Sequence, residues 1–201
     1  MAMTIMLLLM FTGFVEPSSP PILPRATTQA RGKSNEDLAR LISNLYSANQ
    51  QDRGLTKRQI LTIAKESEVN RVRIIDELIA LLNQRKTPAG TWYDVADLLG
   101  ELRATEAIDE LVRQLDYNNG VIGFSNSHWP AVRALIKIGD AAVPELARAL
   151  NEGTASIKGR AASALGAIGG SEAKRALERA LEKERDESIR EAIRRARPPR
   201  Q

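Results

Sequence analysis

The chain has no cysteine among its 201 residues. Disulfides, thiolate metal sites and cysteine nucleophiles are therefore excluded, although the compartment is not, since exported proteins can also lack cysteine. A single histidine, His128, rules out a histidine-rich metal centre. Aromatic residues make up only 4 % of the chain, and alanine and leucine carry most of its 43 % apolar content. That balance favours closely packed helices over a sheet of β-branched residues. A surplus of charge is also missing over most of the length. Of 29 basic and 25 acidic side chains, five arginines against Glu191 alone fall in residues 189–201, so the preceding residues sum to zero. A nucleic-acid binder carries its basic footprint over a working face, and here only the end of the chain is positive.

One long apolar run is present. All four methionines lie in the first ten residues, and Thr4 to Val15 (TIMLLLMFTGFV) is uncharged and apolar. It is too short to span a bilayer comfortably and has the length of the apolar region of a secretory signal. Residues 1–15 are accordingly read as a leader, a signal peptide or short anchor. Exported (periplasmic or secreted) location follows from that reading, with a membrane-anchored or cytoplasmic protein as the alternatives. Residues 16–33 hold four of the nine prolines and no helical period, the composition of an extended linker. A helix is expected to start at Ser34-Asn35-Glu36-Asp37, an N-cap followed by acids.

From Asp37 the apolar spacing is helical. Leu38, Leu41, Ile42, Leu45 and Tyr46 form one stripe at intervals of three and four. Gly54 and Thr56 suggest a break, after which Ile60, Leu61, Ile63 and Ala64 open a second helix. Val72, Ile75, Leu78, Ile79 and Leu82 line a third, which is apolar on more than one face because of Ile74 and Leu81, as for a helix packed between neighbours. Thr87-Pro88-Ala89-Gly90 closes this part, so residues 34–90 are read as N-terminal helices capping a stack formed by the rest of the chain.

From residue 91 the sequence repeats itself. Ile157 to Gly169 (IKGRAASALGAIG) shares its pattern with Ala131 to Asp140 (AVRALIKIGD) and with Val95 to Leu102 (VADLLGEL). A period of about thirty residues marks stacked supersecondary units, none able to bury its apolar face alone. The pairings expected are Trp92–Arg103 with Glu106–Tyr117, Trp129–Ile138 with Ala141–Asn151, and Ile157–Ile168 with Ser171–Lys183. A fourth unit begins at Ser188 and stops before Pro198-Pro199, so the repeats span 91–197 and 198–201 is a tail. Alanines at Ala131, Ala134, Ala161, Ala162 and Ala164 let neighbouring helices approach, and Leu99, Leu135 and Leu165 fill the seam. Gly139 and Gly169 are placed to stop a helix in the left-handed αL conformation, with Asp140 and Ser171 as caps for the next one and Pro144 in its first turn.

On these residues the chain resembles a known family. Ala134 to Leu146 (ALIKIGDAAVPEL) and Ile157 to Gly169 are similar to the HEAT-like repeat of the phycobilisome-lyase type, over about residues 91–197. The resemblance implies an all-α armadillo-type fold, a short right-handed α-solenoid of stacked αα-hairpins, used as a binding or assembly module. It departs from the pattern at Gly169-Gly170 and Arg103-Ala104, where glycine-aspartate is usual. It departs also at Trp92 and His128, where a basic residue such as Lys158 or Arg190 is usual. A regular ladder of polar contacts between units is therefore not expected.

Five of the six aromatics beyond the leader (Trp92, Tyr93, Tyr117, Phe124 and Trp129) lie between 92 and 129, around a long loop that also carries Val121 and Ile122. With His128 these form the candidate partner-binding set, because insertions in solenoids project from one side and aromatics make strong contacts. The competing reading folds the loop's apolar groups over a seam and makes the tryptophans core filler. His128 near Ser125, Ser127 and Asp116 has no Gly-x-Ser-x-Gly elbow around it, so no catalytic residue is assigned. Asp94/Asp97 and Glu106/Asp109/Glu110 read as solvated faces or first-turn acids. Arg190, Arg194, Arg195 and Arg197 form a weaker candidate set for an anionic partner, against a polar cap on the stack. The leading expectation is a non-catalytic scaffold for another protein, with no cofactor or metal, no nucleic acid, membrane contact only through an uncleaved leader, and self-association open. The alternatives are a bilin (tetrapyrrole) lyase-like enzyme or chaperone, and a helical-repeat nucleic-acid binder.

Overall fold

The computed structural model describes residues 36–84, 87–117 and 129–197. The leader, the linker, the Ser34-Asn35 cap, the loop at 118–128 with Val121, Ile122, Phe124 and His128, and the tail lie outside these described residues. Residues 36–43 form helix α1, continued by a 3-10 turn, Asn44–Tyr46. Next come α2 (Gln50–Glu66), α3 (Glu68–Leu82), α4 (Ala89–Glu101), α5 (Ile108–Arg113), α6 (Pro130–Ile138), α7 (Val143–Glu152), α8 (Ala155–Ile168), α9 (Gly170–Lys183) and α10 (Glu187–Ala196). The described residues contain no strand.

The helices lie in two rows. In one, α2 packs on α4, α4 on α6, α6 on α8 and α8 on α10; in the other, α5 packs on α7 and α7 on α9. Each helix of the second row also touches the next helix of the first, as α3 does α4 and α7 does α8. One continuous core results. Leu78, Leu98, Leu99, Leu111, Leu135, Leu146 and Leu165 are fully buried along it. The apolar residues at helical spacing in the second row face inward: Ala107, Ile108, Leu111 and Leu115, then Val143, Leu146 and Leu150, then Ala173 and Leu177 are buried, with Ala147 and Leu181 partly so. This is the stack of αα-hairpins that the repeat implied, with α2 and α3 standing as one more hairpin in line with the rest.

Small residues set the spacing of the first row. A Cβ added to Gly100 would lie 2.9 Å from Ala134 Cα, and one added to Gly166 would run into the Ala196 carbonyl oxygen. Backbone meets backbone at both crossings, which no larger residue allows. Alanine is only part of the device: in the α4–α6 and α8–α10 seams the closest approach belongs to glycine.

Several local expectations are corrected. Gly54 and Thr56 do not break the chain; both lie inside α2, where the Thr56 hydroxyl donates to the Asp52 carbonyl at 2.9 Å and so stays satisfied although buried. α4 starts at Ala89, so Ala89-Gly90 belong to the helix they were expected to precede. Val72 is 44 % exposed while Ile74 and Leu81, which the simple stripe left out, are buried. Gly139 (φ +83, ψ −141) and Gly169 (φ +73, ψ −155) do end their helices, but in an extended positive-φ region open essentially to glycine rather than in αL. Arg103 takes φ +48 at the corresponding turn, where no glycine is present. Asp140 and Ser171 do not cap: α7 and α9 begin without a side-chain cap, Pro144 in the first turn serving α7. The caps that form are Asn49, Ser67, Thr154 and Asp186, each accepting from an amide of the following turn.

Candidate functional site

The edge at which the first-row helices begin collects the aromatic residues. Trp92 and Tyr93 stand in the first turns of α4, Tyr117 follows α5, and Trp129 immediately precedes α6. Trp92 is 2 % exposed and stacks on Tyr117, ring centroids 4.0 Å apart at 29°. It is a core residue, and burial pushes the Tyr117 phenol pKa up. Tyr93 and Trp129 keep part of their surface. Each is covered by an arginine from the next first-row helix: Arg133 lies 5.2 Å from the Tyr93 centroid, and Arg160 lies 3.4 Å from that of Trp129. Such cation–π contacts are worth about 0.5–2 kcal/mol and hold both partners in place. Arg160 also pairs with Asp116, and burial lowers its pKa from the ordinary guanidinium value. Four of the eight candidate partner-binding residues, Trp92, Tyr93, Tyr117 and Trp129, thus fall along one edge. Trp92 faces inward, and the remaining four lie outside the described residues.

Beside this edge runs a feature that sequence reasoning missed. Asp94 and Asp97 on α4 are not solvated: their side chains are 13 % and 16 % exposed. Arg53 Nε donates to Asp94 at 2.7 Å, and Lys57 Nζ donates to Asp94 at 3.3 Å and to Asp97 at 2.5 Å, both from α2. From α6, Lys137 donates to the other Asp97 oxygen at 2.5 Å and to Glu101 at 2.7 Å, with Arg133 at 3.8 Å from Asp97. One carboxylate therefore ties three first-row helices together. Burial raises the Asp97 pKa, but the hydrogen bonds from Lys137 and Lys57 outweigh it and leave it below the ordinary carboxylate value. For Lys137, burial works downward and Asp97 with Glu101 more than reverse it. The only sequence trace is a basic, acidic and basic residue set 40 positions apart, Lys57, Asp97 and Lys137. A pattern sought within single helices does not reveal it.

Glu110, also read as a solvated acid, is 4 % exposed and accepts from Arg113 and from Gln114 at 3.0 Å. Glu106 does remain exposed, paired with Arg71 of α3. At the far end Ile189 and Ile193 bury α10 against the stack. The four arginines there all have partners within the chain. Arg190 donates to the carbonyls of Leu181 and Glu184 at 2.8 and 2.9 Å; Arg194 meets Glu187, Arg195 meets Glu191, and Arg197 meets Glu178. A cleft of about 420 Å³ lies between α7 and α9, lined by Asp140, Pro144, Ala147, Gly170, Ser171 and Arg179. Among the described residues no cluster of histidine, cysteine or acids could hold a metal ion, and no helix is long and apolar enough to cross a membrane.

Residues 128–196, which hold α6 to α10, match the family model of HEAT repeats, and this part of the chain is built of HEAT-like repeats. The match is to HEAT repeats in general and does not single out the phycobilisome-lyase type. No curated protein matches the chain. HEAT repeats commonly serve as protein-interaction scaffolds and are generally not catalytic.

Proposed function

We propose that this protein is a non-catalytic scaffold that holds another protein along the edge where α4, α6 and α8 begin, and that its apolar leader directs it out of the cytoplasm. The observation that carries the reading is the gathering of Tyr93 and Trp129, each clamped by an arginine, on one edge of a chain poor in aromatics. Aromatics and arginine dominate the energetics of protein contacts, the aromatics because they offer large area at little entropic cost and arginine because its planar, many-donor head stacks and hydrogen-bonds at once. The cations of the first row argue against a nucleic-acid groove, since Arg53, Lys57 and Lys137 already face Asp94, Asp97 and Glu101. The export half rests on the charge-free apolar run from Thr4 to Val15.

A photo-reactive amino acid placed at Tyr93 in the full chain tests the contact face in its native host. A cross-linked protein, identified by mass spectrometry and lost when the label is moved to Arg179, supports the edge. Cross-links from position 179 but not 93 transfer the contact to the second row and refute it. The N-terminal peptide of the mature protein, read in the same experiment, decides export: an intact Met1 in the cytosolic fraction refutes that half.

A further inference from the structure

We propose that the N-terminal end of the stack docks a second copy of this chain about a two-fold axis, through an interface independent of the aromatic edge.

Exposure points to the place. Among the described residues the large apolar side chains left exposed are Tyr46, Leu55, Val69 and Val72, at 41, 53, 54 and 44 %. All four precede α4. Apolar residues scattered singly over a surface need no explanation, but a gathering at one end of a stack marks a face without its partner. The hairpin α2–α3 packs on α4 with one face. On its other side the described residues provide only α1, held by Leu38 and Ile42.

α1 leaves a groove on each of its flanks. One, of about 440 Å³, runs between α1 and α2 and is lined by Asp37, Leu41, Arg58, Gln59, Thr62 and Ile63. The other, of about 390 Å³, runs between α1 and α3 and is lined by Leu38, Ala39, Arg73, Asp76 and Glu77. Leu55 stands three and four residues before Arg58 and Gln59, so it continues the first groove by one helical turn. Val69 and Val72 stand four residues before Arg73 and Asp76 and continue the second in the same way.

Two observations choose the occupant. The first is charge. Asp37 and Arg58 in one groove, and Asp76 and Glu77 in the other, make no ion pair with any described residue. A face with unpaired charges of both signs is complementary to itself, because a two-fold axis offers the Arg58 of each copy to the acids of the other. The chain's own apolar leader would leave those charges covered and unmet, since residues 1–15 carry no charged side chain. The second is the opposite end of the stack. α10 buries Ile189 and Ile193 and turns outward Glu187, Glu191, Arg194 and Arg195, which pair among themselves. A polar end of that kind caps the stack, so two copies joined by their N-terminal ends form a closed dimer and not a filament.

The test uses the full chain with a photo-reactive amino acid at Leu55, prepared as an equal mixture of ordinary and isotopically heavy protein. Cross-links that join a light peptide to a heavy one arise only between copies. Such mixed cross-links are expected from position 55 to residues 36–80 of the other copy. Sedimentation velocity should show a dimer that Leu55→Glu and Val72→Glu each weaken at least about tenfold. Arg195→Glu, at the other end, should leave it unchanged. Both apolar side chains are about half exposed, so circular dichroism should hold; if one variant loses helicity, the other decides. A monomer at about 100 μM, or a dimer that both folded variants leave intact, overturns the proposal. Cross-links confined to residues 1–35 of the same copy overturn it too and give the grooves to the leader.

Discussion

Asp97→Asn removes one negative charge and leaves the ammonium groups of Lys57 and Lys137, each 2.5 Å from its oxygens, without their main partner. A charged hydrogen bond contributes about 1.5–3 kcal/mol, and breaking a well-buried pair costs about 3–5 kcal/mol. Asp97 is 16 % exposed and both lysines are more so, which places the expected loss at about 2–3 kcal/mol. For a folded body of this size that is a fall in Tm of about 4–12 °C. The dependence on pH follows from the shift. The folded pKa lies below its ordinary value of 3.8, so the stabilisation is complete above that value and is lost as pH falls through the folded pKa. At the alkaline end Lys137, raised above 10.5, keeps its contribution below that pH and loses it as pH rises through its folded value. The difference between wild type and Asp97→Asn, measured by urea unfolding, should be flat from about pH 5 to 9 and shrink on either side. A double-mutant cycle with Lys137→Met should give a coupling of at least about 0.5 kcal/mol. A cycle that closes to zero, or a Tm change under about 1 °C, would show that the carboxylate is solvated after all and refute the reasoning.

Three further expectations concern single residues. Gly100→Ala should cost about 1–3 kcal/mol, because its Cβ would meet Ala134 Cα at 2.9 Å, whereas Gly159→Ala, with no atom within 4 Å, should gain about 0.5–1 kcal/mol; thermal melts that rank them the other way contradict the close seam. Gly139→Ala should destabilise by more than about 1 kcal/mol, and Arg103→Gly should gain up to about 1 kcal/mol at φ +48, both measured by urea unfolding. Trp92→Ala should cost about 3–5 kcal/mol while Tyr93→Ala costs under about 1.5, a contrast that separates the buried ring from its partly exposed neighbour by circular dichroism alone.

The hairpin units and their inward faces were legible because each is a local pattern. Leu111, Leu146 and Leu177 recur at helical intervals beside small residues, and a period of that kind needs no knowledge of neighbours. Errors arose where a residue's environment is supplied by another unit. Asp97 occupies an outward position of its own helix, and only the arrival of Lys57 and Lys137 from adjacent helices makes it interior. Glu110 was misjudged for a different reason: its carboxylate is met by Arg113 and Gln114 from the next turn of its own chain segment and is buried there although it stands in a first turn. Gly54 and Thr56 failed differently: propensity argued for a break, and packing of Thr56, Ile60 and Ala64 overrode it. At the aromatic edge composition located the cluster, but only three-dimensional packing separated buried Trp92 from Tyr93 next to it.

The bridging carboxylate of Asp97 divides the row. It rivets α2, α4 and α6 together by charge, whereas α6 and α8 meet through apolar packing that includes Leu135 and Leu165 and through Arg160 over Trp129, with no ion pair between these two helices among the described residues. Acid or salt, which weaken ion pairs and leave apolar packing intact, therefore act first on the α2–α4–α6 part of the row and spare the seam between α6 and α8.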